Sequence, residues 1–117
     1  MQYLLLLHVD ESSWPKLTRG QQQQGMAAYA AYTEALQKAG VFKGGNRLES
    51  SSRAANIRLV EGKPRVLDGP FAEAKEQIGG YYLIDVPDHA AAVSWASRCP
   101  AASHGIVEVR AVAAIPS

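Results

Sequence analysis

The sequence contains few cysteines and few histidines, and neither sign of charge is in excess. One cysteine, Cys99, excludes an internal disulfide and a cysteine-rich zinc site. The 12 basic and 11 acidic residues nearly balance, which disfavours charge-driven binding to nucleic acid or to an anionic membrane. The three histidines lie far apart and repeat no metal-ligand spacing. We therefore predict no metal site, no cofactor and no nucleic-acid partner.

Long apolar runs are also missing. No stretch approaches the about 20 apolar residues that a membrane-spanning helix needs. The first residues lack the charged segment and the apolar segment of a signal peptide. Because a single cysteine suits a reducing compartment, we expect a cytoplasmic protein without a membrane partner.

The residues that are present suffice for one modest core. A length of 117 residues, 47% of them hydrophobic, predicts a single domain over residues 1–117. Short apolar runs between turn residues predict strands, and helical spacing between capping residues predicts helices. The predicted strands cover 2–9, 41–43, 53–60, 65–67, 78–86 and 105–112, and the predicted helices cover 18–39 and 88–99.

This order of elements predicts a mixed α+β fold. It is the βαββαβ pattern with an additional hairpin, which gives an antiparallel sheet with both helices on one face. The other face of the sheet is then bare. Glu108 and Arg110 point to one side of the last strand, either as a solvated ion pair or as charges directed into a cavity. We expect the bare face to pack on a second copy, which gives a two-fold homodimer.

The most specific turn follows the predicted hairpin. In Asp68-Gly69-Pro70-Phe71 the glycine is free to take a positive φ, and the proline fixes φ at about −65°. The aspartate can accept hydrogen bonds from backbone N–H groups ahead of it. Gly79-Gly80 then interrupts a strand, which predicts a bulge or a close approach of backbones. We expect a site beside this turn.

Seven residues are candidates for chemistry at this site. The candidates for acid–base catalysis are Asp68, His104 and Glu76, and the candidates for ligand binding are Lys75, Tyr81, Glu108 and Arg110. A crowded or buried carboxylate has a raised pKa and can act as a base, and an arginine can hold a substrate anion. Four of them have an ordinary alternative: Asp68 caps its turn, Lys75 and Glu76 form a solvated loop with Glu73, and His104 is a loop histidine.

Two further features have a structural and a functional interpretation. His8, Asp10 and Glu11 cluster at the end of the first strand, either in solvent or as a polar rim beside a pocket. Cys99 lies on the apolar stripe of the second helix, which favours a core residue over a nucleophile.

Residues 68–87, DGPFAEAKEQIGGYYLIDVP, and residues 95–110, WASRCPAASHGIVEVR, resemble the DGPF branch of the YCII-related family. The resemblance covers nearly the whole chain and implies a ferredoxin-like fold. It also implies a homodimer with facing sheets, a dimeric α/β barrel-like assembly. Genes of this branch often lie near extracytoplasmic-function sigma factors, and most members have no assigned activity.

The better-studied YciI branch has a proposed acid–base pair, a histidine on the first helix and an aspartate near the last strand. One relative there removes chloride from an aromatic diol-type substrate. This chain has neither group, since Gln24-Gly25-Met26-Ala27 and Arg98-Cys99-Pro100-Ala101 occupy those regions. Ala74 and Ala111 also replace the threonine and the proline usual in the DGPF branch. The resemblance therefore does not carry the YciI chemistry over.

Three functions stay open at this point. The one we favour is a dimeric small-molecule-binding protein with lyase- or hydrolase-like acid–base activity on a small anionic or aromatic ligand. The alternatives are a non-catalytic accessory or regulatory protein linked to sigma-factor-associated transcription control, and a binding-only sensor. An enzyme needs a dry pocket with a perturbed carboxylate or histidine, whereas a partner-binding protein needs an exposed apolar patch outside the dimer interface.

Overall fold

A computed structural model describes residues 1–71 and 74–115 of the chain. The strands are β1 (Gln2–Val9), β2 (Phe42–Arg47), β3 (Ala55–Val60), β4 (Lys63–Asp68), β5 (Gln77–Asp85) and β6 (Ile106–Ala111), and the helices are α1 (Arg19–Lys38) and α2 (His89–Arg98). Over these described ranges, no helix is long and apolar enough to cross a membrane.

Four strands form one antiparallel sheet in the order β2-β5-β1-β6. Each helix joins two strands that have another strand between them: α1 joins β1 to β2, and α2 joins β5 to β6. This arrangement is the one found in ferredoxin-like folds. The predicted α+β class is therefore confirmed. The predicted extra hairpin is also present, because β3 and β4 pair only with each other as a separate two-stranded sheet.

The core lies between the helices and one face of this sheet. Side chains alternate between the two faces of a strand, and Tyr3, Leu5 and Leu7 of β1 are all buried on the helix side. The buried helix residues that meet them are Tyr32, Leu36, Ala92 and Ala96. Both helices therefore cover the same face, as predicted. Cys99 also belongs to this core, and burial raises the pKa of its thiol.

Capping residues set the helix ends. The Thr18 side chain accepts from the backbone N–H of Gln21, and the Gln21 side chain accepts from the backbone N–H of Thr18, which completes a capping box. Asp88 caps α2 by accepting from the N–H of Ala91 at 2.9 Å. Gly40 follows α1 with φ of 74°, the left-handed conformation that ends many helices.

Strand β2 is longer than the sequence predicts. The pattern indicates a short strand over 41–43 followed by a glycine turn, whereas β2 continues to Arg47. Gly45 lies against the ring of Tyr82 in β5, and a Cβ there would be 2.8 Å from the ring Cδ1. The glycine therefore provides room for a ring of the neighbouring strand, and the chain does not turn at this point.

Candidate functional site

The open face of the sheet, opposite the helices, presents its side chains in rows across three strands. The β-sheet register aligns Leu83, Leu4 and Arg110 in one row, Tyr81, Leu6 and Glu108 in the next, and Ile78, His8 and Ile106 in the last. The prediction that Glu108 and Arg110 share one face is confirmed. The row of His8 lies at the end of the sheet nearest the segment that follows the hairpin.

His8 and Glu108 lie in adjacent rows and contact each other. Glu108 Oε1 is 2.9 Å from His8 Nε2, and the two side chains are 36% and 25% exposed. Glu108 Oε2 accepts a hydrogen bond from Arg110 Nη1 at 3.1 Å. The hydrogen bond with His8 is the largest cause that holds the pKa of Glu108 below its ordinary value of 4.5, and the one with Arg110 is the next. Glu108 is thus ionised and can only accept, so His8 Nε2 carries the proton and donates it.

The lowered pKa of Glu108 makes the stability of the fold depend on pH. A carboxylate whose pKa is lowered by folding stabilises the protein fully above its ordinary pKa, and this contribution is lost as pH falls through the lowered value. We expect Glu108→Gln to reduce the free energy of unfolding at about pH 5, where the carboxylate is ionised, and by progressively less as pH falls below this value. Urea unfolding of both proteins across this range measures the difference.

A double-mutant cycle with His8→Gln provides the control for that titration. The coupling energy between His8 and Glu108 should shrink over the same acid range, because protonation of Glu108 removes the charge that accepts the hydrogen bond. A coupling energy that stays constant or grows as pH falls below about 5 would contradict the assignment.

A groove extends from the contact between His8 and Glu108 to the loops beside it. It consists of two hollows of about 530 and about 580 Å³, both open to solvent, and His8, Ala74 and Glu76 line both of them. The other residues that line the groove are Leu48–Ser51, Arg53, Ala54, Pro70, Phe71, Lys75, Gln77, Ile78, Ile106 and Glu108. Each hollow falls within the range of about 300–1,000 Å³ found for small-molecule sites.

Hydrogen bonds hold the loops that form the groove walls. The Glu11 carboxylate accepts from the backbone N–H of Ser51 at 2.8 Å and from its hydroxyl at 2.7 Å, which ties the loop after β1 to the loop before β3. Gly69 has φ of 94°, so its predicted positive φ is confirmed. Its N–H donates to the carbonyl of Ala54, and its carbonyl accepts from Asn56 Nδ2. The turn at Gly69 is therefore fixed against the base of the hairpin.

Two glycines allow the neighbouring backbones to approach His8. The register of β1 and β5 shifts between Leu7 and His8, so Gly79 is an extra residue of β5, and the predicted bulge is confirmed. Gly105 precedes β6 and lies so close to the carbonyl oxygen of His8 that a Cβ would collide with it. Glycine at position 105 therefore permits the start of β6 to lie next to the backbone of His8.

Four of the seven residues predicted for the site lie at or beside the groove. Lys75, Glu76 and Glu108 line it, and Arg110 contacts Glu108. Tyr81 lies one row from His8 on the open face, and its hydroxyl donates to Asn46 Oδ1 at 2.7 Å. Among the described residues, no three His, Cys, Asp or Glu side chains are grouped as metal ligands would be.

The other two candidates, Asp68 and His104, do not line the groove. Asp68 ends β4 with its side chain exposed, and no hydrogen bond or ion pair joins its carboxylate to another residue within the described ranges. His104 is exposed in the turn before β6, where its backbone N–H donates to the carbonyl of Ala101. Glu73 lies outside the described residues. The catalytic roles of Asp68, His104 and Glu76 stay predictions.

Sequence reasoning did not pair His8 with Glu108. It grouped His8 with the adjacent Asp10 and Glu11 at the end of β1. The available signal was the predicted topology: in a βαββαβ sheet the first and last strands are neighbours, and alternation along each strand puts both residues on the bare face. The missing information was the register that brings the two side chains together.

Comparison with known proteins assigns the family. The model of the YCII-related domain matches residues 1–116. The chain belongs to the YCII-related family. An uncharacterised protein of Rhizobium meliloti (strain 1021) is 35% identical over 115 residues, which are 97% of this chain and 93% of that protein. The predicted YCII-related family is thus confirmed, and its DGPF branch stays a prediction. The name of the relative attaches no activity to this YCII-related domain.

Proposed function

We propose that the protein binds a small anionic or aromatic molecule in the groove and that His8 is its acid–base group. The observation that carries this proposal is the 2.9 Å contact of Glu108 Oε1, which lines one hollow, with Nε2 of His8, which lines both. A carboxylate that accepts from one ring nitrogen orients the imidazole and selects its tautomer, the role that aspartate has in hydrolytic triads.

The second ring nitrogen then performs the chemistry. With the proton on Nε2, neutral His8 has Nδ1 as an acceptor, and no described residue donates a hydrogen bond to it. Nδ1 can therefore take a proton from a bound molecule and return it, which suits proton abstraction, elimination or hydrolysis. Glu108 stabilises the imidazolium formed in between.

The remaining groove residues suit the proposed ligand class. Lys75 lines the groove, and Arg110 lies beside it in contact with Glu108, so both can attract a carboxylate or another anion. Phe71, Ile78 and Ile106 are 77%, 41% and 56% exposed, so an aromatic ring can cover apolar surface that now faces water. The combination favours a ligand that carries both a negative charge and a ring.

Benzoate, phenol and inorganic phosphate test this proposal, since they present ring and charge together, the ring alone and the charge alone. In ¹⁵N-edited NMR spectra we expect benzoate to shift the ring signals of His8. We expect His8→Gln to weaken phenol binding by about tenfold, because the phenol hydroxyl can donate a hydrogen bond to Nδ1. His89→Gln serves as the control, because His89 begins α2 and does not line the groove.

His104→Gln separates the two histidines that are candidates for acid–base catalysis. If benzoate shifts the signals of His104 and leaves those of His8 unchanged, the sequence-based candidate is correct and the present proposal is wrong. Binding of phenol or phosphate that equals binding of benzoate would restrict the ligand to one half of the proposed class.

We also propose that the chain is a homodimer of the DGPF branch that pairs through the open face of the sheet. Two features support this: half-buried Leu4, Leu6 and Leu83 form an apolar strip on that face, and Gly69 adopts the positive φ that the DGPF motif requires. The alternative function, a non-catalytic accessory protein, is favoured by one observation, the exposed apolar surface of the β3–β4 hairpin. The next experiment distinguishes what covers that surface.

A further inference from the structure

The hairpin of β3 and β4, residues 55–68, has two chemically different faces. Residues paired across an antiparallel ladder share a face, and Ile57 pairs with Val66 while Leu59 pairs with Pro64. Ile57, Leu59 and Val66 are 68%, 67% and 62% exposed. We call these side chains, with Pro64, the apolar face of the hairpin. The opposite face carries the cationic side chains of Arg58, Lys63 and Arg65 together with Val60 and Leu67, and we call it the basic face.

This hairpin gains little support from the rest of the chain. Every residue of β4 is exposed, as is every residue of β3 except Asn56. The radius of gyration is 16.3 Å, whereas about 13 Å is expected for a compact domain of this length. An isolated two-stranded hairpin is only marginally stable in water. In the monomer the hairpin therefore projects from the domain, and its apolar face is exposed to solvent.

The charges on the other face indicate which face is covered. Arg58 and Arg65 lie directly opposite each other, and paired like charges on a sheet destabilise it. Because burial would strengthen this repulsion, the basic face belongs in solvent. The apolar face is the one that a binding partner must cover.

We propose that the apolar face of the hairpin packs on the open sheet face of a second copy of this chain. Each subunit of the dimer then contacts its partner through its hairpin, which we call the arm. The open face has its own apolar strip, Leu4, Leu6 and Leu83, none of which lines the groove. A stable interface buries about 800 Å² per partner, which three or four side chains of one hairpin cannot supply alone. A two-fold axis repeats each contact, so the interface contains two arms, and the apolar strip of each subunit adds to the buried area.

This inference rests on the proposed dimer. Substitutions at two neighbouring residues of β4 test the arm contact separately from the dimer. Val66 and Leu67 are 62% and 61% exposed and point to opposite faces of the hairpin. Val66→Lys places a charge on the apolar face, and Leu67→Lys places the same charge on the basic face. We expect Val66→Lys to raise the dimer dissociation constant by about a hundredfold or more, and Leu67→Lys to change it by less than about threefold.

Sedimentation velocity over a range of protein concentrations measures these constants, and circular dichroism checks that both variants are folded. Hydrogen exchange provides a second readout on the wild type. Amides of residues 55–68 should be protected above the dissociation constant and should exchange rapidly below it.

Each outcome has one meaning. A wild type that is monomeric at all concentrations overturns both the dimer and the arm. A dimer that Val66→Lys and Leu67→Lys weaken equally, or not at all, keeps the dimer and overturns the arm. A monomer that binds vesicles of anionic lipid through the hairpin would instead make a membrane surface the occupant, and it would overturn the second copy.

Discussion

Replacing Gly105 with alanine is expected to destabilise the folded protein by about 2 kcal/mol, because the added methyl group meets backbone. A Cβ at this position collides with the carbonyl oxygen of His8. His8 and Ile106 are the last pair of the β1–β6 ladder, so the collision pushes the start of β6 away from β1. Although β6 is an edge strand, backbone at the start of a hydrogen-bonded ladder yields less readily than the end of a flexible side chain.

Gly44→Ala is the matched control for Gly105→Ala. Gly44 also lies in the sheet, in β2, and nothing lies within 4 Å of the position of its Cβ. Alanine there should be neutral or stabilise the strand by up to about 1 kcal/mol, because glycine loses more conformational freedom on folding. Urea unfolding of both variants measures the comparison. If the two variants differ by less than about 0.5 kcal/mol, β6 does not approach β1 as described.

Gly105→Ala should also disturb the candidate site. Ile106 pairs with His8, and Glu108 reaches His8 from the same strand. A shift of β6 sufficient to admit a methyl group therefore lengthens the contact between His8 and Glu108. We expect the His8 ring signals of this variant to approach those of Glu108→Gln.

Much of the fold was predictable because its signals are local. The bounds of β1, Gln2–Val9, match the prediction, and the capping box at Thr18 is complete within four residues. The glycines of β2 were misread because their role depends on Tyr82, a residue of another strand. A glycine that permits a turn and one that permits a close contact are indistinguishable from the neighbouring sequence.

The candidate site was predictable only where one strand determines it. Alternation within β6 was enough to put Glu108 and Arg110 on one face. The contact of Glu108 with His8 joins residues that are 100 positions apart, so it depends on the register of two strands. Similarly, the position of Asp68 relative to the groove depends on where the hairpin projects, which no local motif specifies.

Leu5→Ala should have the largest effect on stability among the substitutions considered. Leu5 is fully buried between the sheet and the helices, and truncation of such a leucine costs about 3 kcal/mol through lost burial and the cavity that remains. Its neighbour Leu6 points to the open face and is half-buried. The two leucines therefore report separately on the two faces of one sheet.

The comparison of Leu5→Ala with Leu6→Ala becomes decisive when protein concentration is varied. Leu5 contributes to the core of each subunit, so its loss should cost the same free energy at all concentrations. Leu6 contributes to the proposed interface, so its loss should cost about 1 kcal/mol or less in dilute protein and more where the wild type is dimeric. Urea unfolding at two concentrations, one on each side of the dimer dissociation constant, measures this. A cost of Leu6→Ala that does not change with concentration would mean that no second copy covers the open face, and it would contradict the proposed dimer.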